Sequence, residues 1–420
     1  MKPTIEIMSP AGSWEALSAA LHAGADSVYF GVEQLNMRAK SSNNFTVEDL
    51  PKIVELCRQH NAKSYITLNT IMYDHDLQLM RSIVDAAKAS GITAVIASDH
   101  AVLMYAKKQA MEIHISTQTN ITNIETIEFF SAYADVVVLS RELSLSQVSD
   151  IVKEIRRRNI CGPSGKLIQV EIFAHGALCM AVSGKCYLSL HTHFSSANRG
   201  ACIQNCRRDY VVTDKATGYE LEIDNEYIMS AKDLCTINFL DKIIAAGVEV
   251  LKIEGRGRSA EYVHTTTTCY KEAVSSIADG TYSDEKVQRW MTELSTVFNR
   301  GFWDGYYLGR TIGEWTNSDE SLATKRKVYL GKGVNYFAKQ KIAHFMIESN
   351  QLNVGDEIII TGPTTGYVHA VVSELRVNDV YAQKAGKGDS ITIPLEEMIR
   401  PSDSIYKLVE TRTANSTASE

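Results

Sequence analysis

The chain has 420 residues and a formal net charge of −7 at pH 7, which is enough length for one large domain and a smaller one. The acidic balance argues against a protein that coats nucleic acid with a uniformly basic face. No apolar run approaches the length of a membrane span and the start of the chain lacks the pattern of a secretory leader, so we expect a cytoplasmic protein that makes no membrane contact.

The first part of the chain alternates short β-branched runs with longer segments of helical period, which is typical of repeated βα units around a parallel sheet. The helical segments end near Gly or Asn, as helix stops commonly do. Eight strands with helices between them predict a TIM-like (β/α)8 barrel, with a doubly wound open sheet as the alternative. The predicted strands are residues 4–12, 26–32, 63–69, 92–99, 112–118, 135–143, 168–176 and 248–256.

The connection that follows the seventh predicted strand, residues 178–236, is too long for a regular barrel. Long loops in compact domains are usually functional, and this one leaves the face on which such barrels carry their active sites. In a reducing compartment, crowded thiols indicate metal binding or catalysis before they indicate disulfides. This insertion holds five of the eight cysteines: Cys179, Cys186, Cys202, Cys206 and Cys235.

The spacing of these cysteines leaves their chemistry open. No close CxxC pair of the zinc-finger type occurs, so an iron–sulfur cluster, a zinc site, and reactive or buried thiols all remain. His175 shortly precedes Cys179 and could act as the base for a nucleophilic cysteine, although a structural hydrogen bond explains a histidine there equally well. Neither a GxSxG nor an HExxH protease motif occurs in the sequence.

The pattern changes near residue 327, where alternating apolar and polar residues with Gly and Asn turns replace the helical periods. This alternation predicts a small antiparallel β-barrel over residues 327–410, after a barrel domain that occupies residues 1–326. Residues 411–420 are polar and small, and we expect them to form a disordered tail.

Four segments carry a resemblance to a known family. EIFAHGALCMAVSGKCYLS, NRGACIQNCR, SAKDLCTI and LKIEGRGRSAEYV resemble the signature segments of the U32 peptidase or collagenase-like family. The resemblance runs from Ser9 to Tyr262, and the length with its small C-terminal barrel is similar to the branch of the family that hydroxylates tRNA. It implies an oxygen-independent hydroxylase that uses prephenate as the oxygen donor and holds a 4Fe-4S cluster.

The same resemblance implies the site residues. Carried over position by position, the cluster ligands are Cys179, Cys186, Cys202 and Cys235, which leaves Cys206 as a possible replacement for Cys202. The implied reaction is C5 hydroxylation of the wobble uridine, so the expected partner is the anticodon loop of tRNA with its base splayed out. The sequence does not identify a partner protein.

Prephenate carries two carboxylates, so its pocket is expected to offer arginine forks and point charges. A structural ion-pair network at the barrel rim is the alternative explanation for the same charged residues. The predicted substrate-binding residues are Arg141, Arg199, Lys252 and Arg256, and the predicted catalytic residues are Glu171, His175, Lys232 and Glu254.

Three other functions stay open from the sequence. The name of the family suggests a peptidase. Cleavage of denatured collagen by the purified protein would support this function. A hydroxylase of ribosomal RNA is the competing substrate class within the same chemistry. A hydroxylase of a quinone precursor is the third alternative.

Overall fold

The computed structural model describes residues 5–40, 43–218, 220–221, 229–310, 313–318 and 321–411. Strands and helices alternate through its first domain, as the sequence predicted. The strands of that domain are β1 (Glu6–Pro10), β2 (Ser27–Gly31), β3 (Lys63–Leu68), β4 (Ala94–Ala97), β5 (Glu112–Ile115), β6 (Val136–Val138), β7 (Gln169–Ala177), β8 (Val212–Thr213), β9 (Glu220–Leu221), β10 (Asp233–Cys235), β11 (Val250–Ile253) and β12 (Phe302–Trp303). The helices are α1 (Trp14–His22), α2 (Leu50–Gln59), α3 (Leu77–Ser90), α4 (His100–Lys108), α5 (Ile124–Ser131), α6 (Leu145–Arg158), α7 (Leu188–His193), α8 (Leu240–Ala245), α9 (Ala260–Ala278) and α10 (Asp284–Thr296).

Eight parallel strands close into a barrel. Strands β1 to β7 follow one another in order, and β11 pairs with both β7 and β1, so the sheet is continuous around the ring. All five residues of β2 and all three of β6 are buried, because the helices cover the outside of the barrel and side chains fill its inside. The predicted TIM-like barrel is confirmed, and the closure by β11 excludes the doubly wound alternative.

The helices form where the sequence places caps and apolar stripes. Helix α6 begins at a capping box on Ser144 and ends at Asn159, which adopts the left-handed conformation with φ of 53°. Its buried side chains recur at the spacing of one helix face, and they pack toward the sheet: Val148, Ile151, Val152 and Ile155. Local sequence signals therefore set both the ends and the orientation of this helix.

The insertion starts and ends on the same barrel strand. Strand β10 pairs antiparallel with the last residues of β7, with Asp233 opposite Ala177 and Cys235 opposite His175. Strand β12 then pairs in parallel with β10. The chain between β7 and β10 is thus a loop whose two ends are tied together, and it lies over the carboxyl end of the barrel.

The second domain consists of antiparallel sheets with a hydrophobic core of their own. The larger sheet has eight strands, and β15 pairs with β20 in a smaller one. The strands are β13 (Lys325–Phe337), β14 (Ile342–Ile347), β15 (Leu352–Asn353), β16 (Glu357–Gly362), β17 (Gly366–Val371), β18 (Arg376–Val377), β19 (Val380–Tyr381), β20 (Lys384–Ala385), β21 (Ser390–Pro394) and β22 (Ser404–Glu410). All of the predicted tail except residue 411 lies outside the described residues.

The two domains meet at α1. The Ser18 hydroxyl donates a hydrogen bond to the carbonyl oxygen of Pro363 at 2.6 Å. Gly366 has φ of 68°, and a Cβ at this position would lie 2.7 Å from the backbone nitrogen of Ala19. A glycine is therefore required for this close approach. Within the part of the chain that the structure describes, no helix is long and apolar enough to cross a membrane.

Candidate functional site

A cavity of about 140 Å³ lies at the carboxyl ends of the barrel strands, beneath the insertion. This is the face on which barrels of this type carry their active sites. The cavity is lined by side chains from several barrel strands together with residues of the insertion and of the loop after β2. Its cationic lining residues are Arg38, Arg141, Arg207, Lys252 and Arg256, and Glu254 is the carboxylate among the described lining residues.

Lys252 reaches the cavity from inside the barrel. Its Nζ lies 2.7 Å from Glu171 Oε1 and 4.6 Å from the centre of the Tyr29 ring. The other carboxylate oxygen of Glu171 is 3.8 Å from His114 Nδ1, and the structure gives neither of these two buried atoms a hydrogen-bond partner. Glu171 does not line the cavity; it lies below it and holds Lys252 in place, and its catalytic role stays a prediction.

Glu254 is bound by Arg38, whose Nη2 lies 2.6 Å from Glu254 Oε1. The Tyr29 hydroxyl donates to the Ile253 carbonyl at 2.9 Å and lies 3.3 Å from Glu254 Oε2. Burial acts to raise the pKa of Glu254, but Arg38, Arg256 and Arg141 outweigh it and lower the pKa to about 2. Glu254 is therefore ionised and is not a proton donor at neutral pH. It helps to position the cationic wall of the cavity, which consists of Arg38, Arg141, Arg207, Lys252 and Arg256.

Arg256 is fixed by two side chains of the barrel. Its Nη1 donates to Thr67 Oγ1 at 2.7 Å and to Asn36 Oδ1 at 3.1 Å, while its buried Nε has no partner among the described residues. Its backbone passes directly over β1, because a Cβ on Gly12 would lie 1.7 Å from the Arg256 carbonyl oxygen. Gly12 thus permits the close approach that brings Arg256 to the cavity.

Arg141 forms the opposite wall. Its guanidinium stacks on the Phe173 ring at 3.8 Å and donates through Nη1 to the Ala177 carbonyl at 3.0 Å. Its buried Nε also has no partner among the residues that the structure describes. Arg141 and Arg256, together with Lys252, give the cavity a positively charged lining.

Four cysteines line the same cavity: Cys179, Cys186, Cys202 and Cys206. Cys186 accepts a hydrogen bond from the backbone N–H of Leu188 at 3.4 Å. Burial raises the pKa of the Cys206 thiol, Arg207 acts against this, and the other three thiols raise it further. Among the described residues, no three or more Cys, His, Asp or Glu side chains are grouped closely enough to hold a metal ion.

Cys235, the predicted fourth ligand, lies elsewhere. It is 3% exposed and packs with the hydrophobic core, where its thiol donates to Met291 Sδ at 3.7 Å and lies 4.0 Å from the Tyr270 hydroxyl. Burial raises its pKa to about 11. The thiol faces α9 and α10 and not the cavity, and the ligand role that the resemblance implies for Cys235 stays a prediction. The structure brings Cys206 to the three other thiols instead.

His175 is also turned away from the cavity. Strict alternation along β7 would place it on the same face as Glu171 and Phe173. The register against β11 shifts between Phe173 and His175, and the His175 ring packs against Tyr262 and Tyr270 of α9. Burial lowers its pKa to about 3, with a smaller contribution from Arg258. The ring therefore lies away from the cavity, and the catalytic role of His175 stays a prediction that this placement does not support.

Two further predicted residues belong to ion pairs outside the cavity. Lys232 Nζ lies 2.8 Å from Glu314 Oε2. Arg199 makes a two-pronged contact with Asp76 and stacks on the Tyr73 ring at 4.2 Å. Both side chains take part in ion pairs, which is the kind of contact that the alternative of a structural network describes. The catalytic role of Lys232 and the substrate-binding role of Arg199 stay predictions, and neither residue lines the cavity.

The sequence missed Arg38 and Arg207 as lining residues. Arg38 lies in the loop after β2, where no strand end or motif marks it. Arg207 was visible only as a basic pair next to Cys206, and it now proves to bind the Leu178 carbonyl through Nη2 at 2.7 Å. Only the folding of the loops over the barrel brings these two side chains to the cysteines.

Comparison with known proteins gives one family match and three similar proteins. The family model described as Peptidase family U32 matches residues 12–317. A Porphyromonas gingivalis protein named collagenase is 58% identical over 402 residues, which cover 96% of this chain and 97% of that protein. A tRNA hydroxylation protein of Bacillus subtilis is 30% identical over 365 residues, which cover 85% and 83% respectively. An Escherichia coli 23S rRNA 5-hydroxycytidine synthase is 29% identical over 369 residues, which cover 81% of this chain and 54% of that protein.

Proposed function

Because this chain belongs to the peptidase family U32, we propose that it is an RNA hydroxylase of that family which modifies C5 of a tRNA uridine at the wobble position. The relatives named for tRNA hydroxylation and for rRNA hydroxycytidine synthesis support an RNA substrate. The observation that carries the proposal is the single cavity in which four thiols face the side chains of Arg141, Lys252 and Arg256. An anionic co-substrate and a thiol-bound cofactor would meet there.

The thiols fit a 4Fe-4S cluster in composition. Four cysteines are the usual ligand set of such clusters, and soft thiolates favour iron–sulfur over hard cations. Cys179, Cys186, Cys202 and Cys206 would hold the cluster, which when bound would supply one-electron chemistry.

The cationic wall fits prephenate as the oxygen donor. Two carboxylates would be bound by the guanidinium groups of Arg141 and Arg256 and by the Lys252 ammonium, all of which belong to residues that line the cavity. Five cationic side chains against one lining carboxylate leave an excess of positive charge before an anion binds. Glu254 and Glu171 each hold a cation of this wall at a fixed position. The residues of the chain thus bind and orient the donor next to the thiols.

Metal analysis and nucleoside analysis test the proposal together. The protein is purified without oxygen and assayed for iron and acid-labile sulfide, and nucleosides from tRNA and rRNA of a deletion strain are measured by mass spectrometry. We expect iron in the wild-type protein and loss of 5-hydroxyuridine derivatives from tRNA of the deletion strain. Cys179→Ser should fail to restore them, whereas Cys57→Ser, a buried change in α2, should restore them. Iron-free protein with unchanged tRNA nucleosides would falsify the proposal.

A peptidase is the second candidate, because a relative at 58% identity is named collagenase. Among the described residues, no cysteine is hydrogen-bonded to a histidine ring, and the one Ser–His pair, Ser390 with His344, has no carboxylate partner. We therefore expect purified protein to cleave denatured collagen no faster than its Cys179→Ser variant does. Cleavage by the wild-type protein that the Cys179→Ser variant lacks would favour the peptidase.

A further inference from the structure

A second cavity, of about 370 Å³, adjoins the one that holds the thiols. Met37, Asn69, Gln118, Ser183 and Gly184 line both cavities and form the boundary between them. The volume is within the range of about 300–1,000 Å³ that small-molecule sites occupy. The second cavity has exposed residues at its outer rim, among them Ile71, His100 and Lys185, and the shared boundary at its inner end. It therefore leads from solvent to the thiol-lined cavity.

Most of the lining of the second cavity is uncharged, and its two basic side chains, Lys185 and His100, lie at the exposed rim. Ile71 and Phe130 supply apolar surface, and Asn198 supplies an amide. The carboxylate of Asp99 is already used, because it accepts hydrogen bonds from the backbone N–H groups of Ala101 and Met72 at 2.8 and 2.9 Å. The buried hydroxyl of Thr119 has no partner among the residues described by the structure. The five cations of the first cavity do not line this one.

Hydrogen bonds fix the direction in which the boundary amides point. The backbone N–H of Met37 can only donate, and it donates to Asn69 Oδ1 at 3.1 Å. Asn69 Nδ2 therefore faces the other way, 3.3 Å from Ser116 Oγ and 3.4 Å from Gln118 Oε1. The Ser116 hydroxyl also donates to Gln118 Oε1. The oxygen of Gln118 is thus committed to two donors, and this order begins at a backbone N–H that cannot reverse.

The remaining group of Gln118 is its Nε2 amide. The structure gives it no acceptor among the described residues, and Gln118 lines both cavities. A Gln118 oriented in this way can donate a hydrogen bond to a ligand but cannot accept one. Uracil has a carbonyl oxygen on C4, where cytosine has an amino group, so a donor at this place favours uracil and opposes cytosine.

Building on the proposed function, we propose that the second cavity takes the splayed uracil base and that Gln118 Nε2 donates to its O4, which makes Gln118 the residue that selects uracil over cytosine. O4 is attached to the ring carbon next to C5. A donor at the boundary that binds O4 therefore holds C5 beside the thiol-lined cavity, where the oxygen donor would be bound. The two cavities then separate the uncharged base from the anionic co-substrate.

Two substitutions test the inference by replacing the hydrogen-bond donor at the boundary with an acceptor. Gln118→Glu replaces the open amide with an acceptor oxygen. Asn69→Asp keeps the acceptor for the Met37 N–H but removes the donor to Gln118, so the Gln118 amide should turn and present its oxygen. The matched control is Gln78→Glu, the same chemical change on an exposed position of α3. Each protein is purified without oxygen and its iron content is measured.

Binding is measured by fluorescence anisotropy with two anticodon stem–loop RNAs that differ only in U or C at the wobble position. We expect the wild-type protein and Gln78→Glu to prefer the U-containing RNA by about tenfold, the effect of one hydrogen bond. Gln118→Glu and Asn69→Asp should lose or reverse this preference while keeping iron. The inference is overturned if both variants prefer the U-containing RNA to the same extent as the wild-type protein. It is also overturned if only Asn69→Asp keeps that preference and the variant is folded and contains iron. In either case the proposed function stands. If wild-type protein binds neither RNA and leaves tRNA unmodified, both fail.

Discussion

Lys252 Nζ lies 2.7 Å from Glu171 Oε1 inside the barrel, where the two side chains are 6% and 0% exposed. The pair connects the barrel core with the cationic cavity, because Lys252 lines the cavity and Glu171 lies below it. Removing one partner of a buried ion pair leaves an uncompensated charge, which costs about 3–5 kcal/mol.

Glu171→Gln should therefore lower the free energy of unfolding by about 3 kcal/mol or more, measured by urea denaturation. The double change Glu171→Leu with Lys252→Met should recover most of the lost stability, since no charge remains buried. It should still fail to bind a dicarboxylate, because the ammonium is gone. If the double variant bound prephenate like the wild-type protein, Lys252 would have no part in anion binding.

Iron content should distinguish Cys206 from Cys235. Cys206 lines the cavity with the other three thiols, whereas Cys235 is packed against Met291. We expect Cys206→Ser to lose most of the iron and sulfide of anaerobically purified protein and Cys235→Ser to retain them. The two changes are chemically identical, so each serves as the control for the other. Retained iron in Cys206→Ser and lost iron in Cys235→Ser would restore the ligand set that the sequence implied.

Anion affinity should depend on Arg256 and not on Arg199. Arg256 lines the cavity, while Arg199 is bound to Asp76 outside it. Arg256→Lys removes the planar fork, so calorimetric titration with prephenate should show a loss of affinity of about tenfold or more. Arg199→Lys is the matched control and should leave the affinity within error. Equal losses in both variants would mean that the effect is one of general destabilisation.

The stability of the protein should fall on mild acidification because of His175. Burial lowers the pKa of this ring to about 3, so between the ordinary histidine value and about 3 the unfolded chain binds a proton that the folded protein does not. The contribution of a lowered pKa is complete above the unfolded value of about 6.5 and is lost as the pH falls toward about 3.

His175→Phe removes this ionisable group. Its free energy of unfolding, measured with urea from about pH 7 to about pH 4, should decline less steeply than that of the wild-type protein, by up to about 1.4 kcal/mol per pH unit over that window. His191→Phe changes an exposed histidine of α7 and is the control. Parallel pH profiles for His175→Phe and the wild-type protein would show that His175 is protonated in the folded state.

The sequence by itself determined the barrel and much of its rim. Strand and helix periods are local properties, and caps such as Ser144 and Asn159 mark helix ends within a few residues. Parallel strands bring their carboxyl ends to one face, and the predicted site residues Arg141, Lys252, Glu254 and Arg256 lie within or shortly after β6 and β11. The structure places all four in the lining of one cavity.

Only the tertiary structure decided which cysteine thiols and which titratable side chains face that cavity. The side of a strand that a residue occupies depends on pairing with distant strands, and a single shift of register reverses it. The irregularity in β7 turns His175 outward, and the antiparallel pairing of β10 leaves Cys235 in the core. Arg38 reaches the cavity through a loop without periodicity. Such placements are set by contacts between segments far apart in the chain, which local patterns do not encode.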